Sequence, residues 1–130
     1  KNAIEELQEA GIRVSLFTST DESQIEAAAH IGANRIELYT EPYAVGFAHD
    51  DSDAVIPFAR AAAFAHSCGL GVNAGHDLDL QNLEHFAKNV PYLSEVSIGH
   101  ALISDALYLG LETTVKRYLA RLKSSAFSEE

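Results

Sequence analysis

The sequence of 130 residues has no methionine, no tryptophan, three prolines and one cysteine. A single cysteine, Cys68, can close no internal disulfide, which fits a reducing compartment and leaves stability to an apolar core. Basic residues are also scarce: nine Lys and Arg stand against nineteen Asp and Glu, a formal net charge of −10. A nucleic-acid surface needs the opposite balance. No apolar run approaches the ~20 residues of a membrane span, and no signal-peptide pattern opens the chain. No G-x-G-x-x-G or Walker sequence follows a β-like run, which argues against a nucleotide-binding loop. A phosphorylated metabolite stays compatible with the acidity, because backbone amides alone can build a local anion site. The missing methionine includes position 1, and the chain opens inside a helical pattern (Ile4, Leu7, Ala10). The expectation is a cleaved or incompletely represented protein.

What is present is a repeat of helix, glycine and strand. Lys1 to Ala10 reads as a helix stopped by Gly11, followed by a β-rich run from Arg13 to Phe17. Asp21 and Gln24 have capping-box spacing before a helix over Glu22 to Ile31, with Ile25, Ala28 and Ala29 inward. Gly32 ends it, and Arg35 to Tyr39 forms the next strand. Thr40 to Ser52, with Pro42 and Gly46, reads as a long irregular loop. An alanine-rich helix from Ala54 to Cys68, bent near Pro57, is closed by Gly69. A strand over Leu70 to Asn73, a helix starting near Asp79 or Leu80 and a strand over Ser94 to Ile98 follow. One last helix is expected from Ile103 to Lys123, with Leu107, Leu111, Val115 and Leu119 as its apolar stripe. Ser124 to Glu130 reads as a frayed tail.

Such alternation implies a parallel sheet with right-handed crossovers. A complete (β/α)₈ barrel takes ~250 residues, so four βα units make either a small open sheet or half of a barrel. In both Asn73-Ala74-Gly75-His76-Asp77-Leu78 and Ser97-Ile98-Gly99-His100, a Gly-His pair closes a strand. Residues at the carboxyl ends of neighbouring parallel strands share one mouth, where barrels place their chemistry.

His76 is the first candidate: its imidazole either transfers protons near neutral pH or only hydrogen-bonds across a strand end. Gly99 and His100 either cradle an anion with free amides or make a tight turn. Glu37, between Ile36 and Leu38, points inward, where a carboxylate needs a task or an ion-pair partner from a neighbouring strand. Asn73 either orients a catalytic group or caps a turn. His30, His66 and His85 fall in helices and His49 in the acidic loop, all read as solvated surface. His76, His100 and Glu37 lack the tight spacing of metal ligands. Cys68 has no basic neighbour to activate it and reads as packing.

The strings VSLF, IELYTEPYA, GVNAGHDL and VSIGHALISDALYLGLETTV, in this order, resemble the carboxyl-terminal half of the pyridoxine 5′-phosphate synthase family. The resemblance runs from the helix before Gly11 to the helix ending near Lys123. It implies the fifth to eighth βα units of a (β/α)₈ TIM barrel over residues 1–123, with 124–130 as a tail. It also implies a cytoplasmic enzyme, octameric in the family. That enzyme condenses 1-deoxy-D-xylulose 5-phosphate with 3-amino-2-oxopropyl phosphate to pyridoxine 5′-phosphate, phosphate and water.

By motif, His76 resembles the family's proton donor and Glu37 a transition-state stabiliser. Gly99 and His100 resemble a phosphate site, and Asp77 a substrate-binding position. No metal or cofactor is implied. The implied partners are the phosphorylated substrates, an amino-terminal half carrying further acid-base and arginine residues, and other copies of the chain; neither nucleic acid nor a membrane is among them. Tyr43, in EPYA, reads as an anchor. The chain on its own is expected to be inactive and not to exist as an isolated stable monomer. The alternative is a non-catalytic phosphate-binding or assembly module, distinguished by binding without turnover.

Overall fold

The computed structural model describes residues 2–123. Four strands, β1 (Ser15–Thr18), β2 (Arg35–Leu38), β3 (Gly71–Gly75) and β4 (Leu93–Ser97), form one sheet in the order β1-β2-β3-β4. Every neighbouring pair is parallel. Strands added always on the same side, through crossovers of one hand, leave all helices on one face. A doubly wound sheet would instead reverse its strand order. The singly wound order is that of a half-barrel with a helix-covered outer face and an open inner one.

Side-chain alternation matches this division. Ile36, Leu38, Val72 and Ala74 are fully or almost fully buried against the helices. They pack on Ile25 and Ala28 of α2 (Glu22–His30), on Phe58, Ala61, Ala62 and Ala65 of α4 (Ile56–Ser67), and on Leu83 and Phe86 of α5 (Leu83–Asn89). The intervening residues are mostly polar: Arg35 and Glu37 on β2, Asn73 on β3, and Glu95 and Ser97 on β4. Near the amino end of the strands they form a charged network. Arg35 donates to Asn73 Oδ1 at 3.0 Å, Asn73 donates to Glu95 at 3.4 Å, and Arg13, just before β1, reaches Glu95 at 2.8 Å. A side chain from just before the first strand thus reaches the last strand across the inner face. Asn73 belongs to this network rather than capping a turn, and the ion pairs with Arg13 and Arg35 fall to Glu95 rather than Glu37.

Several expectations are corrected. Residues 41–48, read as loop, form α3 (Glu41–Ala48), with Pro42 in its first turn. There a missing N–H costs nothing, since that donor has no intrahelical partner anyway. Tyr43 is fully buried and donates to the Asn82 carbonyl at 2.7 Å, the anchor expected of it. Pro57 likewise starts α4, after a 3₁₀ turn over Ser52–Val55. Asp21 caps α2 through the Ser23 amide at 2.8 Å, but Gln24 reaches back to the Ser19 N–H instead of completing a box with Asp21. The helix expected near Asp79 starts at Leu83, because Asp79 and Asn82 first cap each other's amides.

The last helix is two, α6 (His100–Leu109) and α7 (Leu111–Lys123), parted at Gly110 with φ 78°. Across that break the proposed stripe loses its phase. Leu107 is 81% exposed and Leu111, Val115 and Leu119 are exposed too, while Thr114 and Tyr118 face the core. Beside β4, a groove of about 300 Å³ is lined by Val96, Ile98, Leu102, Val115 and Leu119. The remaining helix, α1 (Asn2–Glu9), precedes Gly11 as expected. Lys1 and the tail from Ser124 onward lie outside the described residues. No helix among the described residues is long and apolar enough to cross a membrane.

Candidate active site

The carboxyl end of β3 closes in a tight turn. The Asp77 N–H donates to the Gly75 carbonyl at 2.8 Å, around His76 with φ 63°. An i→i+2 bond around a positive φ is a γ-turn, rare because a side chain there is strained. Three hydrogen bonds with Thr40 and Ser97 fix it. The Thr40 hydroxyl donates to the Gly75 carbonyl, the His76 N–H donates to the Ser97 carbonyl at 2.9 Å, and the Asp77 N–H also approaches the Thr40 hydroxyl at 3.3 Å. Gly75 cannot be anything else, since a Cβ there would stand 2.1 Å from the Ser97 carbonyl oxygen. The outcome is a histidine lifted off the strand end, its side chain 69% exposed and its Nδ1 3.6 Å from Asp77 Oδ1. Strain of this kind persists only where surrounding structure enforces it, and it gathers at functional sites.

Glu37 lies below this turn on the inner face. Burial pushes its carboxyl above the ordinary range, offset in part by the neighbouring His76 and by the Ser97 hydroxyl. Glu37, His76 and Ser97 therefore form one electrostatic group over β2, β3 and β4. A raised carboxyl has a defined effect on stability. The native state keeps a proton that the unfolded chain, titrating near 4.5, has lost, so stability falls as pH rises from 4.5 to the raised native value. Glu37→Gln should remove that decline: denaturation midpoints taken across the window should fall for wild type and stay level for the variant. Parallel curves would show that Glu37 is not buried in this way.

β4 ends at Ser97, and Gly99 caps α6 with no side-chain hydrogen bond. Its φ is −107°, open to any residue, and a Cβ added to it would meet nothing within 4 Å. The fold itself thus sets no demand for glycine at position 99. The first-turn amides of α6 point outward without intrahelical partners, at the positive end of the helix dipole. His100 opens the helix and is exposed. Since β3 and β4 are bonded parallel neighbours, His76 and His100 leave the sheet at the same end.

Two residues absent from the sequence-level candidates also stand here. Ser97 was hidden because the bulge between Val72 and Asn73 shifts the β3–β4 register. Tyr39 had a legible signal, since it shares the inward parity of Arg35 and Glu37. Its hydroxyl donates to Glu41 at 2.6 Å. Among the described residues no group of three or more His, Cys, Asp or Glu is placed to hold a metal ion.

Comparison with known proteins gives the chain's family. A family model described as pyridoxal phosphate biosynthesis protein PdxJ matches residues 1–124. The pyridoxine 5′-phosphate synthase of Christiangramia forsetii is 57% identical over 123 residues, covering 95% of this chain and 52% of the relative. That of Porphyromonas gingivalis is 57% identical over 119 residues (92% and 50%), and that of Bacteroides fragilis 58% over 115 residues (88% and 48%). The chain spans about half the length of the curated relatives it matches. With nearly every residue inside the family match and more than half of the aligned positions identical to each of these relatives, the chain belongs to the PdxJ family of pyridoxal phosphate biosynthesis proteins.

Proposed function

We propose that residues 1–123 supply the carboxyl-terminal half of a (β/α)₈ barrel. The whole protein would condense 1-deoxy-D-xylulose 5-phosphate with 3-amino-2-oxopropyl phosphate into pyridoxine 5′-phosphate, releasing phosphate and water. The observation that carries this reading is the pairing of a strained, outward-facing His76 with Gly99, a glycine that the fold does not need. A proton-transfer group and a place for close anion approach stand at the same end of adjacent strands. The names of the relatives supply the product, and the sequence resemblance supplies the two substrates.

Within it, the amine of one substrate and the ketone of the other form an imine. Phosphate elimination, addition of water and aldol-type ring closure follow. His76 protonates a leaving or carbonyl oxygen, the general-acid role open to an imidazole positioned at the mouth. Glu37, beneath His76, stabilises the positive charge that develops as the imine forms and rearranges. Asp77 contacts substrate beside it. The amides at Gly99 and His100 hold a phosphate of 3-amino-2-oxopropyl phosphate, with the imidazole adding a donor. The acid-base groups and cations still needed would come from the other barrel half, docked on the open strand edges and the groove beside β4. Assembly into a cytoplasmic homo-oligomer completes the proposal, and the exposed apolar positions of α6 and α7 favour it.

The phosphate assignment has a direct test. In a full-length protein carrying this segment, Gly99→Val should weaken inorganic phosphate binding by about tenfold or more, because the side chain enters the space where the anion approaches the amides. The thermal midpoint should hardly move, since that space is open. Calorimetry with inorganic phosphate reads the affinity. Unchanged binding would remove Gly99 from the site.

A further inference from the structure

We infer that Tyr39, its hydroxyl proton committed to Glu41, is a hydrogen-bond acceptor for an N–H or O–H donor on the bound substrate, fixing which way the substrate lies across the mouth. The inference rests on the proposed function and deepens it.

Placement comes first. The Tyr39 N–H donates to the Thr18 carbonyl at 3.0 Å, so the β1–β2 ladder runs one residue past β2. Alternation then keeps Tyr39 on the inner face, one step above Glu37 toward the mouth. The residue is 46% exposed, so its ring is not a core element. Chemistry follows from the partner. Glu41 sits in the first turn of α3, where the helix dipole favours a carboxylate. A carboxylate only accepts, so the 2.6 Å contact uses the single phenolic hydrogen. That hydrogen is held firmly: the Glu41 bond, some burial and the nearby charges of Glu41 and Asp77 all raise the Tyr39 pKa. At neutral pH the phenol stays un-ionised, and what it presents to a ligand is an oxygen lone pair.

The two sides of the mouth are therefore unlike. Over β2 and β3 stand acceptors, namely Tyr39, Glu37 and Asp77. Over β4 stand donors, the α6 amides and His100. A phosphorylated amino ketone or keto sugar bound between them places its phosphate on the β4 side. Its amine or hydroxyl donors lie on the Tyr39 side, with His76 between the two ends.

Tyr39→Phe in the full-length protein removes the lone pair and keeps the ring. The KM for one of the two organic substrates should rise roughly tenfold, as for loss of one hydrogen bond. The fall in kcat should be smaller, and inorganic phosphate affinity should stay at the wild-type value because the anion lies on the other side. Separate titrations of the two substrates tell an amine donor from a sugar hydroxyl. If wild type turns over and Tyr39→Phe leaves both KM values unchanged, the inference fails while the proposed function stands. It also fails if the variant loses phosphate affinity in parallel, because the effect is then not confined to one side. A wild type without turnover would overturn the proposed function and this inference together.

Discussion

His76→Ala in a full-length protein carrying this segment should lower kcat by roughly 10²–10⁴-fold, the range for loss of a positioned general acid. Substrate binding should change far less, so kcat and kcat/KM should fall together. The expectation follows from where the histidine stands. Its backbone is held at φ 63° by hydrogen bonds from or to Thr40 and Ser97, while its side chain packs against little and is 69% exposed. Removing the imidazole leaves no buried cavity and relieves backbone strain only if the turn relaxes. The thermal midpoint should therefore stay close to wild type. Steady-state kinetics with both substrates check the point, and a rise in KM at constant kcat would assign His76 to binding instead of proton transfer.

Gly75→Ala should be the most damaging single-methyl change in the segment. A Cβ at 2.1 Å from the Ser97 carbonyl oxygen cannot be accommodated by rotating a side chain, because the obstacle is backbone. β3 and β4 must separate locally, which strains or breaks the His76 N–H bond to Ser97 and tilts the γ-turn. Overpacking a close-packed interior typically costs about 1–3 kcal/mol, and a backbone obstacle puts this case at about 3 kcal/mol. Turnover should fall as well, since the turn that carries His76 is displaced. Urea denaturation measures the first effect and kinetics the second. Gly99→Ala is the internal control: the same methyl group, at a position with nothing within 4 Å, should leave stability intact. Equal stability for both variants would mean that the β3–β4 approach is looser than described.

The contrast between these glycines shows what sequence can and cannot convey. The helix–glycine–strand rhythm and the strands at Arg35 and Leu70 were legible because period and turn chemistry agree there. Glu37 was legible as inward-facing from its apolar flanks. Position 41 onward is ambiguous in sequence because proline marks both a loop and the first turn of a helix, and burial of Tyr43 in tertiary contacts decides between them. The last helix reads as one in sequence because Leu107, Leu111, Val115 and Leu119 keep helical spacing across Gly110, where the structure breaks the phase. Gly75 and Gly99 look equivalent before a histidine. Only the placement of β4 shows that packing demands the first and not the second. The charged network of Arg13, Arg35, Asn73 and Glu95 depends on a register that a bulge resets, which no local pattern reveals.

Turnover of the full-length protein with 1-deoxy-D-xylulose 5-phosphate and 3-amino-2-oxopropyl phosphate together decides whether this segment belongs to such a synthase. Pyridoxine 5′-phosphate is followed by mass and inorganic phosphate in parallel. Equal amounts of both products are expected, dependent on both substrates and reduced at least 10²-fold by His76→Ala. Phosphate binding without any pyridoxine 5′-phosphate, or turnover indifferent to the loss of His76, would contradict it.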